Sequence, residues 1–164
     1  MPGRTAWTPG NGTGFTWAPA VNGADLVSLA NGSTVLSSVA TIANQTSLDL
    51  WADLSLRMTV ASATPPTGAF LSVNLCALLD DGLTYGDGSL TSGSTIARAL
   101  PFAPVGVIPL ANAALTLLAG FIQGILIPPG SFRFALYNNS GAALSATAAN
   151  NVVMYRTYNL NLNN

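Results

Sequence analysis

Histidine, lysine and glutamate are absent from all 164 residues, and with them go most of the side chains that shuttle protons or attack carbon near neutral pH. No Ser triad can be completed without an imidazole. The single cysteine, Cys76, has no second thiol for an internal disulfide and no histidine to lower its pKa. The remaining carboxylates are all aspartates. Asp49 and Asp53 lie on one face of one predicted strand, roughly 13 Å apart at ~3.3 Å per residue, too far to work as a glycosidase pair. The expectation is a chain that catalyses nothing and needs no cofactor.

Charge is scarce as well. Only 7% of residues are charged, against a usual ~25%, and every base is an arginine: Arg4, Arg57, Arg98, Arg133 and Arg156. Without Lys and Glu there is little from which to build an exposed helix face, so strands and loops are expected. A nearly neutral surface suits a protein that works packed against copies of itself or a partner. It does not suit nucleic acid, because neutralising phosphates takes clustered bases.

The start, "MPGRTAWTPG", has no apolar core of a secretory signal. Residues 105 to 127 are uncharged and long enough to cross a bilayer. Pro109, Asn112 and Gln123 interrupt the run, three glycines punctuate it, and no Lys/Arg cluster anchors it. It reads as strands and a buried turn, with no membrane partner, a span being the alternative.

What the chain does have is alternation. "LDLWADLSLRMTV", residues 48 to 60, places Leu48, Leu50, Ala52, Leu54, Leu56, Met58 and Val60 on one face and polar residues with Trp51 on the other. A period of two sorts side chains only on a pleated strand. "AFLSVNLCALL" (69 to 79) repeats this with Leu71, Val73, Leu75 and Leu79 inward and Ser72, Asn74 and Cys76 outward. "SFRFALY" (131 to 137) does so with Phe132, Phe134 and Leu136 against Ser131, Arg133 and Tyr137. Further strands are expected at 24 to 30, 33 to 43, 95 to 100, 104 to 109, 114 to 127 and 151 to 162, bounded by Gly, Pro and Asn signals. About eight strands without an amphipathic helix predict an all-β protein, an antiparallel β-sandwich of jelly-roll type.

Residues 1–23 differ from the rest. Glycine and proline recur without any period, yet Trp7, Phe15 and Trp17 are costly to leave in water. The organisation expected is an extended N-terminal arm (1–23) and a β-sandwich domain (24–164). Either the arm docks on a partner, with Arg4, Trp7, Phe15 and Trp17 as contacts, or it folds back over an edge strand of its own sandwich. Trp51, on the polar face of its strand, is a further candidate contact.

"ILIPPGSFRFALYNNSGAAL" and "NNVVMYRTYNLN", within residues 125 to 162, resemble the C-terminal half of small β-sandwich structural proteins of tailed-bacteriophage virions. The resemblance implies a head decoration, or cement, protein: made in the host cytoplasm, seated on the capsid surface, bound to the major capsid protein or another virion protein, and often trimeric. A neck or fibre component is compatible with the same residues. So is a host-recognition carbohydrate-binding module with Trp51, Tyr85, Tyr155 and Tyr158 as its platform.

One cluster invites a metal: Asp80, Asp81 and Asp87 in "DDGLTYGD". Its spacing is not that of a calcium loop, and Asp with Gly suits a solvated turn. Chelator is therefore expected to leave the melting temperature unchanged. A calcium-dependent rise, abolished by Asp81→Asn or Asp87→Asn, would assign the loop to a cation through binding linkage.

Overall fold

The computed structural model describes residues 5–9, 15–39, 41–61, 64–85, 91–110 and 117–162. Its strands are β1 (Thr5–Pro9), β2 (Ala18–Val21), β3 (Ser33–Leu36), β4 (Ile42–Ala43), β5 (Trp51–Thr59), β6 (Phe70–Ala77), β7 (Thr95–Ile96), β8 (Gly106–Pro109), β9 (Leu117–Leu126), β10 (Ser131–Asn139) and β11 (Asn151–Leu162). One sheet runs β1-β11-β5-β9, with β2 also on β11. The other runs β7-β3-β10-β6-β8, with β4 also on β10.

The pairings nest. β2 joins β11, β3 joins β10, β5 joins β9 and β6 joins β8, all antiparallel. The first half of the chain thus pairs with the second half in reverse, as if one long hairpin had been rolled into two layers. That is the jelly-roll arrangement expected from the strand count.

Alternation decides what each sheet turns inward. Ala52, Leu54, Leu56 and Met58 of β5 meet Phe132, Phe134 and Leu136 of β10 and Leu71 and Val73 of β6 in one continuous core. Burial of such side chains contributes about 1.5–3 kcal/mol each. The outer face of the second sheet is not solvent. Residues from the 78–105 connection lie over it, and Leu36, Cys76, Tyr85, Leu100 and Ala135 form a second, smaller apolar cluster. Ser72, Asn74 and Cys76 do point away from the main core, as their alternation predicts, yet all three are buried. Arg133 enters this layer too: its Nε donates to the Tyr85 hydroxyl (2.9 Å) and its Nη1 to the Ser37 carbonyl (2.7 Å).

Several strand boundaries differ from the sequence expectation. Residues 24 to 30 hold no strand; Gly23–Leu26 is a 3-10 turn whose first amide, Ala24 N–H, is capped by the Asn22 side chain. Local side-chain capping outcompetes the sheet there. The predicted 33 to 43 strand is broken into β3 and β4. Leu48, with φ of 47°, and Leu50 lie before β5 and are exposed rather than in the core. Leu79 has left β6 and is also exposed. The charge-free stretch holds β8 and β9, and among the described residues no helix is long and apolar enough to cross a membrane.

The described parts of the arm lie on the chain's own sheet. Thr5–Pro9 pairs with Leu162 to Tyr158, and Ala18–Val21 with Tyr155 to Val153. This is the folded-back alternative: both segments cover the edge that β11 would otherwise leave open.

At the other end the two sheets close on each other through glycine. A Cβ at Gly120 of β9 would lie 2.3 Å from Ile108 Cδ1 of β8, and one at Gly106 would lie 2.4 Å from Ile122 Cδ1. Each isoleucine fills the space that the opposite glycine leaves. Gly120→Val is expected to destabilise the chain by about 1–3 kcal/mol in urea unfolding, with Ile108→Ala recovering part of the loss. Unchanged stability in the single variant would show that this contact does not hold the sheets together.

Candidate functional site

The outer face of the β1-β11-β5-β9 sheet carries a buried charge. Asp53 stands on the face of β5 that its alternation assigns to solvent, yet it is only 3% exposed. Register explains this, since Asp53 is the direct cross-strand partner of Arg156 on β11. Arg156 donates Nε (3.0 Å) and Nη2 (2.8 Å) to Asp53 Oδ2. The Tyr158 hydroxyl, two residues along the same face, donates to Oδ1 at 2.9 Å.

The fourth donor comes from an irregularity. Ala52 pairs with Ile125 and Leu54 with Ile122, so Asp53 faces two residues of β9, Gln123 and Gly124. Gly124 takes a φ of +65° at this bulge, a conformation glycine adopts without strain. Its N–H turns to Asp53 Oδ1 at 3.1 Å. Four donors saturate a carboxylate, which is the condition for burying one.

Aromatic rings build the walls. Trp7 of β1 meets Tyr158 edge to face, with centroids 5.1 Å apart and planes at 87°. Trp17 meets Phe121 of β9 at 5.8 Å. The Arg156 guanidinium lies 4.8 Å from the Trp17 ring centroid and 5.8 Å from that of Phe15, within cation–π range. Between Trp7, Phe15, Gln123, Tyr158 and the Asp53–Arg156 pair is an open cavity of about 490 Å³, the size of a small-ligand site.

Three of the five residues expected to contact a partner, Trp7, Phe15 and Trp17, are therefore brought together, each touching its own sheet while remaining partly exposed. Trp51 is on the same face, half-buried opposite Tyr158 and Leu126. Arg4 falls outside the described residues. Of the proposed sugar platform, Tyr85 is buried against Arg133, and Tyr155 packs on Phe134 at 6.0 Å and on the main core. Only Tyr158 reaches the pocket. Sequence reasoning missed Asp53, Gln123, Gly124 and Arg156 as a group; the one trace was Arg156 as the lone charge of its strand, "NVVMYRTYNLNL".

The aspartate loop behaves as a turn. Asp81 accepts from Leu83 N–H (2.9 Å), Thr84 N–H (2.8 Å) and the Thr84 hydroxyl, and these bonds hold its carboxyl below the usual range. Asp87 lies outside the described residues. No family model, curated protein or solved structure matches this chain.

Removing the carboxylate strands four donors at once. Asp53→Ala is expected to cost roughly 2–4 kcal/mol in urea unfolding, less than a fully buried pair because Arg156 keeps some solvent. A loss below about 0.5 kcal/mol would mean water replaces the carboxylate freely.

Alkaline pH offers a second check. Burial, then the bond to Asp53 and its charge, push the Tyr158 phenol above its ordinary 10.0, and burial does the same for Tyr155. The folded chain then keeps protons that the unfolded chain releases. The resulting stability is complete below about pH 10 and is lost as pH rises through the folded values. Tyr158→Phe should flatten part of that decline; an identical pH profile in the variant would contradict it.

Proposed function

We propose that this chain is a non-enzymatic structural protein of a bacteriophage virion, a capsid decoration protein that binds the major capsid protein and works as a homotrimer. The observation that carries the reading is an apolar strip on an almost uncharged surface. Along β9 and on the outer face of its sheet, Leu117, Phe121 and Leu126 are 50%, 46% and 66% exposed. Among the described residues β9 has a hydrogen-bonded neighbour, β5, on one side only. Exposed apolar side chains along a sheet edge mark a place where another chain docks.

Magnitude supports assembly over a single contact. Burying three such side chains contributes about 1.5–3 kcal/mol each, while association costs on the order of 4–15 kcal/mol in lost freedom. One strip per chain is marginal. Several strips presented by one trimer bind through effective concentration. The jelly-roll architecture and the resemblance of residues 125 to 162 to virion β-sandwich proteins agree with this reading.

Full-length protein mixed with undecorated capsids is expected to bind saturably and to raise their melting temperature. Sedimentation equilibrium of the protein alone is expected to give a trimer mass. Leu117→Ser combined with Leu126→Ser, 50% and 66% exposed, should weaken capsid binding at least tenfold without altering the chain's own unfolding. A monomer at micromolar concentration that does not bind capsids would overturn the proposal.

A further inference from the structure

We infer that the pocket over Asp53 and Arg156 is a binding site for a neutral saccharide, with Trp7 as its stacking wall and Gln123 and Arg156 as its hydrogen-bonding groups. The inference does not rest on the virion reading. It concerns the residues lining the cavity, Trp7, Phe15, Asp53, Gln123, Arg156 and Tyr158, none of which belongs to the apolar strip of Leu117, Phe121 and Leu126.

The charge of the floor comes first. Asp53 and Arg156 neutralise each other through two hydrogen bonds to Oδ2, and among the described residues Arg156 is the only cation lining the cavity. An anionic ligand, a nucleotide included, would have to compete with a buried carboxylate for that guanidinium. A cationic one would find every oxygen of Asp53 already occupied. The site therefore favours an uncharged occupant.

The walls and the unused polar groups narrow the class further. Trp7 is 56% and Phe15 45% exposed, so ring area is on offer to apolar C–H groups. The Gln123 amide and Arg156 Nη1 make no hydrogen bond among the described residues, although both residues line the cavity. The Tyr158 oxygen, having donated its proton to Asp53, keeps lone pairs for accepting. A purely apolar side chain would leave these polar groups facing it unpaired, which is costly. A sugar ring presents C–H groups on its faces and hydroxyls around its rim, and so meets aromatic walls and amide or guanidinium edges together. The cavity of about 490 Å³ has room for one or two such rings.

The site is also held rigid. Arg156 is fixed by Asp53 on one side and stacked near Trp17 at 4.8 Å on the other, so its free nitrogen is presented without a further entropic cost.

The test uses the full chain alone. A broad panel of neutral oligosaccharides, with oligogalacturonates and dinucleotides as charged comparators, is titrated by tryptophan fluorescence and saturation-transfer NMR. At least one neutral oligosaccharide is expected to bind saturably, with ring C–H protons receiving the transfer. Trp7→Ala is expected to weaken it about tenfold or more, or roughly 1.4 kcal/mol. Gln123→Ala, at an exposed position where folding is not at stake, should weaken it several-fold, and Leu83→Ser, remote and 82% exposed, should leave it unchanged. Absence of binding across the neutral panel would overturn the assignment, as would preference for the charged comparators or neutral binding indifferent to both Trp7→Ala and Gln123→Ala. Capsid binding, measured separately, stands or falls by Leu117 and Leu126 and is expected to be unchanged by Trp7→Ala and Gln123→Ala.

Discussion

A carboxylate buried on the solvent side of a sheet has to be enclosed by donors, and Asp53 is enclosed by three strands at once. β11 brings Arg156 and Tyr158, β9 brings the Gly124 amide, and the aromatics of the arm close over the top. None of these contributions is free to move independently. A shift of β11 by one residue would turn Arg156 to the core and Tyr155 outward. The bulge at Gln123–Gly124 would lose its reason, and Trp17 its cation. The pairing register of the outer sheet, the bulge and the docking of the arm are thus coupled through one side chain.

Elsewhere neutral amides do the fastening that charged residues do in other proteins. Buried Asn44 donates to the Asp49 and Pro128 carbonyls and accepts from Asp49 N–H, all at 2.8 Å, joining the approaches to β5 and β10. Buried Asn138 donates to the Leu29 and Ala142 carbonyls and accepts from Ser140 N–H. Asn151 donates to the Ser145 carbonyl at 2.9 Å. An amide carries both donor and acceptor and no net charge, so it satisfies buried loop backbone without the desolvation penalty of an ion. The low charge of the chain and the order of its connections are consistent with each other in this way.

The strands that alternate were legible in the residues: β5, β6 and β10 occupy the windows the pattern marks, with Leu54, Val73 and Phe134 inward. Alternation reports one-sided burial, and it reported that correctly. It is silent about what covers the other face. Ser72, Asn74 and Cys76 read as solvent-facing because nothing local records that residues distant in sequence, Tyr85, Leu100 and Phe102 among them, pack on that side of the sheet. Leu48 and Leu50 continue the hydrophobic period past the point where the backbone turns away at Leu48, which the period cannot detect. Residues 24 to 30 are apolar enough for a strand, but Asn22 captures the Ala24 amide first.

The arm and the pocket mark the boundary between the two kinds of information. Composition and period determined an all-β sandwich with sparse charge and an aromatic arm, because burial of alternate side chains and the absence of charge are properties of short windows. Which strand pairs with which, and hence that Asp53 meets Arg156 and that Trp7 meets Tyr158, was decided only by tertiary structure. Those partners are more than 100 positions apart for the ion pair and farther still for the rings. The preference that unites them is a register between strands, which no local pattern carries.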